Sequence, residues 1–241
     1  FYKCKFSGSS LNYSNFSFSR FESCLLNDCE MHECHFQEST FVESDLSKSN
    51  LRDSVFIEVN FRQSLLQGID LSGSFLKDVI MIEAEGNLCN FSFSTFSKSD
   101  ISGAKFQVCD FNACRAIGIK AASADLTGSE FKGVQMDSSN FKGAKLNFCN
   151  FSDASLQKSD ISEAKLVFTS LQNARLNSSN LKDVILFGAK ANGAEFKDTI
   201  LENTNLIKAD FSNSIFNGAN MNGVLDQDTV YDSASMKGVT R

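Results

Sequence analysis

A large apolar residue recurs at every fifth position of the chain, in one phase from Phe1 to Met236. Of the 48 residues in this series, 42 are Leu, Ile, Met or Phe. The residue two places earlier is small, usually Ser, Ala or Cys, and Asn or Asp often stands between the two, as in Ala124-Asp125-Leu126. The other two places of each five are mostly polar.

A period of five matches neither the 3.6-residue helix nor a simple alternating strand. Within each five, the small and the large residue are two positions apart, so a short extended segment can point both of them inward. The remaining residues then turn a corner. The pattern therefore predicts short extended segments that are joined by regularly spaced corners.

This pattern resembles the pentapeptide-repeat family, and the resemblance covers nearly the whole chain. The resemblance implies an all-β fold, a right-handed quadrilateral β-helix (β-solenoid) with four pentapeptides in each of about twelve coils. At the spacing of β-strands, such a rod is roughly 55 Å long.

The repeat register is unbroken, and we divide the chain into a β-helix over 1–225 and an irregular last coil or C-terminal tail over 226–241. Small residues interrupt the apolar series at 81–90 and 116–121, which predicts a bend, a bulge or small voids there. Both ends of the chain are in register and neither shows a cap, which favours a piece of a longer protein.

The chain of 241 residues has no proline. Its formal net charge of −6 argues against direct binding to nucleic acid. No apolar run approaches the ~18 residues of a membrane span. The only histidines, His32 and His35, are expected on an exposed turn. No phosphate loop, metal-ligand set or nucleophile–base pair stands out. We expect a cytoplasmic protein that is not an enzyme and needs no cofactor.

All eight cysteines occupy the small inward place, where a free thiol acts as a small apolar group. Cys24, Cys29 and Cys34 have a spacing like that of a metal cluster, but consecutive segments hold them on different sides. Cys89 and Cys109 stack closely enough for a disulfide, although their parallel side chains disfavour one. The sequence predicts eight buried, reduced thiols (Cys4, Cys24, Cys29, Cys34, Cys89, Cys109, Cys114, Cys149).

Acidic residues concentrate between 21 and 60, where nine of them face only two basic residues. A step of 20 residues brings several of these acids into columns, in which like charges ~5 Å apart repel mildly in water. One interpretation is a surface that mimics nucleic-acid phosphates, and the other is a solvated face that aids solubility. The candidate acidic surface consists of Glu33, Glu38, Asp53, Glu58 and Asp78.

Six phenylalanines lie outside the central position and are expected to point outward: Phe18, Phe75, Phe93, Phe148, Phe168 and Phe187. The step of 20 residues stacks three of them on one side together with aliphatic residues, and Val108 extends the strip. Clustered exposed apolar groups usually mark an interface. The alternatives are a ladder that supports coil stacking and cover by a flanking segment. The candidate apolar interface consists of Phe148, Val167, Phe168, Ile185, Phe187 and Ile207.

Within the family, the chain resembles the Qnr/MfpA quinolone-resistance branch in its acidity, its Cys- and Phe-rich early repeats and its run over 109–126. The branch implies a bacterial DNA mimic that binds and protects a type II topoisomerase, either DNA gyrase or topoisomerase IV. The register-breaking loops and the C-terminal dimer segment of that branch are not matched.

Two other functions stay open at this point. One is an interaction or targeting domain of a larger protein, such as a secreted bacterial effector, and the other is a scaffold. In either case a second copy could cover the apolar strip and form a homodimer.

Overall fold

A computed structural model describes residues 1–241 as a continuous stack of coils. Every fifth residue forms a parallel bridge to the residue 20 positions later, as in Lys5 with Leu25 and Ser10 with Glu30. Four such bridges occur in each 20-residue turn of the chain, so the coil has four sides. The predicted right-handed quadrilateral β-helix is therefore confirmed.

The four sides form four walls, which run along the rod. Wall 1 consists of residues 4–8 and of the corresponding five-residue segments that follow in the chain at every further step of 20 residues. Walls 2, 3 and 4 are built in the same way from 9–13, 14–18 and 19–23. The fifth residue of each segment forms the corner to the next wall. All 48 corner residues have a positive φ, with values from 49° to 73°.

Extended strands form only on wall 3. They are β1 (Val55–Ile57), β2 (Phe75–Lys77) and β3 (Thr95–Ser97), which pair in the order β1-β2-β3 and are parallel. Elsewhere the contact between coils is a single bridge per wall, because each wall holds only one extended step before the next turn. No helix capable of spanning a membrane is present.

The interior is one apolar cluster of 64 buried residues. The central phenylalanines stack ring on ring from coil to coil, with centroids 4.8 Å apart between Phe21 and Phe41 and 4.5 Å apart between Phe131 and Phe151. Such repeated offset stacking adds to the burial energy of each ring.

The inter-coil bridges continue through 81–90 and 116–121. The bends or bulges that we expected in these two segments therefore do not occur. Gly86 leaves no void, since a Cβ there would lie 2.9 Å from Phe106 Cε1 and 3.0 Å from Leu66 Cβ. Neighbouring side chains have moved into the space that the missing side chain frees.

Residues 226–241, which the sequence sets apart, follow the same pattern of turns and bridges as far as Thr240. Their side chains are less buried than those of inner coils, because only one side of this coil is covered. The same effect leaves Cys4 half-buried in the first coil, whereas the other seven cysteines are fully buried, and all eight are free thiols.

Candidate interaction surfaces

The five predicted acids lie along the two edges of wall 3. Glu33 and Asp53 stand at the corner between walls 2 and 3, and the other three stand at the corner between walls 3 and 4. All five have a positive φ between 50° and 56°, and all are exposed except Asp78, which is half-buried. Because corner side chains project from the rod, both columns point their carboxylates into solvent.

The strands β1 and β2 lie between these two acidic edges. Their outward side chains include Val55, Ile57 and Phe75, of which Phe75 is 40% exposed. Lys77 is the only cation of the two strands. The acidic edges therefore frame a narrow apolar floor, a combination that the sequence did not indicate.

The charge of the whole rod falls on wall 2. This wall has three basic residues, whereas the charges on walls 1, 3 and 4 nearly cancel. The net charge of wall 2 thus equals that of the entire chain, −6. Its nine acids are Glu30, Glu33, Asp53, Asp70, Asp110, Glu130, Asp153, Asp210 and Asp232.

Some acids of wall 2 have a role in the fold. Asp70 Oδ1 accepts the Ser72 N–H at 3.0 Å, and Asp110 Oδ1 accepts the Asn112 N–H at 2.8 Å. These bonds satisfy the N–H at the start of the turn, which explains why Asn and Asp precede the central residue so often. At Asp210, hydrogen bonds from Ser212 lower the pKa of the carboxyl.

The corner acids have no such role. None of the five predicted acids forms an ion pair with Lys or Arg, and Glu33 meets only His32, at 3.7 Å. A carboxylate that is exposed, unpaired and unused by the turns is free to meet a partner. We use the name acidic surface for these five acids (Glu33, Glu38, Asp53, Glu58 and Asp78) together with Glu30 and Asp70, which lie on wall 2 over the same three coils and also accept hydrogen bonds within the chain.

The two histidines are not assembled into a chemical site. His32 is half-buried, and its ring packs edge-on against Tyr13 at 4.9 Å, while His35 is exposed. No group of three or more His, Cys, Asp or Glu side chains is arranged to hold a metal ion.

The predicted apolar strip does come together on wall 1. The rings of Phe148 and Phe168 stack with centroids 5.9 Å apart, and Phe168 meets Phe187 edge-on at 5.5 Å. Phe148 and Phe168 are 61% and 54% exposed. Phe187, which we expected to point fully outward, is half-buried, because it lies beside the corner rather than on it and Phe168 packs against it.

Val167, Ile185 and Ile207 are also half-buried and form the floor beside the corner phenylalanines. Leu88, which the sequence reasoning missed, is 63% exposed in the same corner column as Val108, Phe148 and Phe168. Counting by 20 from Phe168 would have found it. Phe18 and Phe93 are exposed on other corners and stand apart from this strip.

Burial protects three cysteines of the central coils from ionisation. Burial raises the pKa of the Cys114 thiol to about 11 and that of Cys149 to about 12. Burial and the neighbouring Cys109 raise the pKa of the Cys89 thiol further. The Sγ of Cys109 also accepts the Cys89 N–H at 3.2 Å. Such thiols are structural, since the nucleophilic form is the thiolate.

The largest depression of the surface, about 670 Å³, lies where walls 4 and 1 meet. It is open, and its acids are already engaged: Gln63 donates to Glu83 at 3.1 Å and Lys105 pairs with Glu85 at 2.6 Å. It lies away from both the acidic surface and the apolar strip.

Comparison with protein-family models places matches along most of the chain. A model described as a pentapeptide repeat region matches residues 14–91. A second, described as pentapeptide repeats (8 copies), matches overlapping segments that together span 106–223. Comparison with curated proteins gives no match.

One similar solved structure is that of HetL, a pentapeptide repeat protein involved in heterocyst differentiation regulation from the cyanobacterium Nostoc sp. strain PCC 7120. The two sequences are 19% identical, the match covers 95% of this chain and 89% of HetL, and the TM-score is 0.32. QnrB1, a plasmid-mediated fluoroquinolone resistance protein, is 17% identical, with 91% of each chain covered and a TM-score of 0.36. A pentapeptide repeat protein from the Arabidopsis thaliana thylakoid lumen is 30% identical over 42% of this chain and 60% of its own, with a TM-score of 0.20. At these TM-scores, none of the three decides what this chain does.

Proposed function

This chain belongs to the pentapeptide-repeat family, and we propose that it is a non-enzymatic interaction solenoid that imitates DNA toward a DNA-binding protein. The leading candidate partner is a type II topoisomerase, DNA gyrase or topoisomerase IV, which the rod would occupy and protect in the cytoplasm. The acidic surface makes the contact. The observation that carries the proposal is the net charge of wall 2, together with the column of unpaired acids along the far edge of wall 3.

The density of charge supports a mimic of DNA. Seven carboxylates of the acidic surface lie on three successive coils, which is roughly one per 2 Å of rod axis at strand spacing. Duplex DNA carries one charge per about 1.7 Å. Arg52 and Lys77 are the only basic residues on walls 2 and 3 over these coils, so little of the charge is neutralised locally.

The rigidity of the rod also supports this role. Each corner carboxylate is fixed by a backbone that hydrogen-bonds to the coils on both sides, as Asp53 N donates to Ser72 O at 3.0 Å. A partner with a preformed DNA channel therefore meets carboxylates on a backbone that is already in place, and no ordering of the backbone is needed on binding.

A supercoiling assay tests the proposal. Purified DNA gyrase is incubated with relaxed plasmid and ATP, with and without a fluoroquinolone, over a range of concentrations of the protein. The proposal predicts inhibition of supercoiling, or relief of drug inhibition, that weakens as salt rises, because exposed charges are screened beyond about 8 Å at physiological ionic strength. No effect on either gyrase or topoisomerase IV at micromolar protein would contradict the choice of partner.

A further inference from the structure

A second surface lies on wall 1, away from the acidic surface. Its corner column holds Leu88, Val108, Phe148 and Phe168, all more than half exposed. Val167, Phe187 and Ile207 lie half-buried on the floor of the wall beside this column. We use the name apolar strip for these residues and Ile185.

The corner residues of the strip occupy an unfavourable backbone conformation. Val108 has a φ of 55° and Phe168 has a φ of 55°, in the left-handed region that bulky and β-branched residues avoid. The fold itself does not need apolar side chains there, since Gly128 and Gly188 occupy the same column. Strained, exposed apolar groups in a row indicate a use outside the fold.

On wall 1 itself, the charges beside the strip have one sign over 126–225. Between residues 126 and 225, wall 1 carries Lys145, Lys165 and Lys208 and no acid. Across the corner, wall 2 is different, because Lys190 shares its column with Glu130 and Asp210. Lys165, Lys190 and Lys208 are exposed and form no ion pair within the chain, and Lys208 Nζ lies 5.8 Å from the centre of the Phe187 ring.

We propose that the apolar strip docks an acidic, amphipathic segment of a partner protein. Apolar side chains of that segment would cover Phe148, Phe168 and the floor, and its carboxylates would pair with Lys165 and Lys208 on wall 1. The part of the strip from Val108 to Ile207 spans five coil spacings, about 24 Å, which is the length of a helix of about 16 residues. This surface is additional to the proposed topoisomerase contact and does not depend on it.

Charge disfavours two other occupants. In a second copy, pairing the strip with itself brings the lysines of wall 1 near one another, and wall 1 offers no acid to them over 126–225. An anionic membrane is flat and would meet wall 2 across the same corner, where Glu130 and Asp153 repel it. A narrow acidic segment on wall 1 avoids both conflicts.

Peptide selection on the full 241-residue protein tests this inference. A random 16-residue phage library is panned on the immobilised protein, and the strongest peptide is made with a fluorescein label for anisotropy titration. The expected result is a pool enriched in Asp and Glu beside aromatic or aliphatic residues. No enrichment over the bare support, or enrichment without an acidic excess, would overturn the inference.

Variants then locate the binding site. Phe148→Asn with Phe168→Asn is expected to weaken peptide binding at least tenfold, and Asn is compatible with the corner conformation, as Asn173 shows. Phe93→Asn is the matched control, because Phe93 is a 73% exposed corner residue outside the strip, and it should change binding less than twofold. Lys165→Glu with Lys208→Glu should also cost tenfold and be rescued by a peptide whose acids are replaced by Lys.

Equal binding to the Phe148/Phe168 variant would overturn the inference. A dimer mass in light scattering that falls to the monomer mass in that variant would also overturn it, because the occupant would then be a second copy. Cosedimentation with phosphatidylserine vesicles that the variant abolishes would overturn it too, because the occupant would then be a membrane. Charge reversal of Glu38, Glu58 and Asp78 should leave peptide binding unchanged, which separates this surface from the proposed topoisomerase contact.

Discussion

At the scale of the residue, the inward places decide stability and the corners are free to vary. A buried thiol at the small place keeps its proton, because burial raises the pKa of Cys114 to about 11 and that of Cys149 to about 12. In an unfolded chain both thiols ionise near an ordinary pKa of about 8.5. Below that pH both states are protonated, and above it only the unfolded chain releases protons.

The free energy of unfolding should therefore fall between about pH 9 and pH 11, by about 1.4 kcal/mol per pH unit for each such thiol. Urea unfolding measured across this range checks the slope. The double variant Cys114→Ala with Cys149→Ala should show a flatter pH dependence. An equally steep slope in the variant would assign the loss to other groups.

Labelling is a second test of the buried thiols. In the native protein a bulky thiol reagent should modify Cys4 first, since it alone is half-buried, and the other seven only after unfolding. Counting labelled sites by mass spectrometry over time gives the order. Rapid native labelling of several cysteines would contradict the fold described above.

Two glycines at corners separate backbone strain from crowding. Gly118 has a φ of 69° and open space around it, whereas a Cβ at Gly188, with a φ of 65°, would lie 2.6 Å from Phe168 Cδ1. Gly118→Ala should cost about 1 kcal/mol from the left-handed conformation alone. Gly188→Ala should cost more in urea unfolding and displace the Phe168 ring. Equal losses would mean that Phe168 does not rest on this glycine.

At the scale of the element, the segments close their corners in one of two ways, apart from the corners before Cys4, Ser39, Val59 and Ser99. In most turns the N–H of the small residue donates within the turn, as Ser64 N does to Phe61 O at 3.1 Å. In the others this N–H donates to the Oγ or Sγ of the small residue on the next coil, as Ser139 N does to Ser159 Oγ at 3.1 Å. In the second kind of turn, a buried Ser on the next coil is therefore needed as the hydrogen-bond acceptor. In the first kind no such acceptor is needed, and Ala can replace the buried Ser.

Ser159→Ala should destabilise the protein by about 1–3 kcal/mol, because it leaves the Ser139 N–H buried without its acceptor. Ser159 Oγ also donates to Met136 O at 3.1 Å. Ser64→Ala is the control, since Phe61 O keeps the Ser64 N–H, and it should cost less. Thermal unfolding of the two variants compares them, and equal losses would show that this ladder adds no stability.

Much at this scale followed from the sequence. The phase of five identified the central residues, the inward cysteines and the stacking of Phe148 on Phe168, because a rigid repeat makes position in the chain a direct guide to position in space. The strands β1–β3 on wall 3 could not be predicted, since the segments that form them follow the same five-residue pattern as the other segments. The half-burial of Phe187 depends on how far the Phe168 ring leans, which no repeat pattern specifies.

At the scale of the whole molecule, charge is arranged by wall rather than by stretch of sequence. A window over 21–60 identified an acidic region, but the acids of wall 2 extend to Asp232 and are separated by multiples of 20 residues within each column. The resulting rod has an acidic surface on walls 2 and 3 and an apolar, lysine-rimmed strip on wall 1. The proposed functions of the two surfaces follow from this separation.

The most direct test of the acidic surface is a binding measurement with matched charge reversals. Glu38→Lys with Glu58→Lys and Asp78→Lys is compared with Glu43→Lys, Glu83→Lys and Asp183→Lys, which reverse three corner acids of the column that closes wall 4. Biolayer interferometry gives the Kd for DNA gyrase at 50 and 200 mM salt, and circular dichroism checks that both variants fold. The account predicts that the first variant loses at least tenfold in affinity at low salt while the second stays within twofold of the parent. Equal affinities of the two variants would show that the acidic surface does not make the contact.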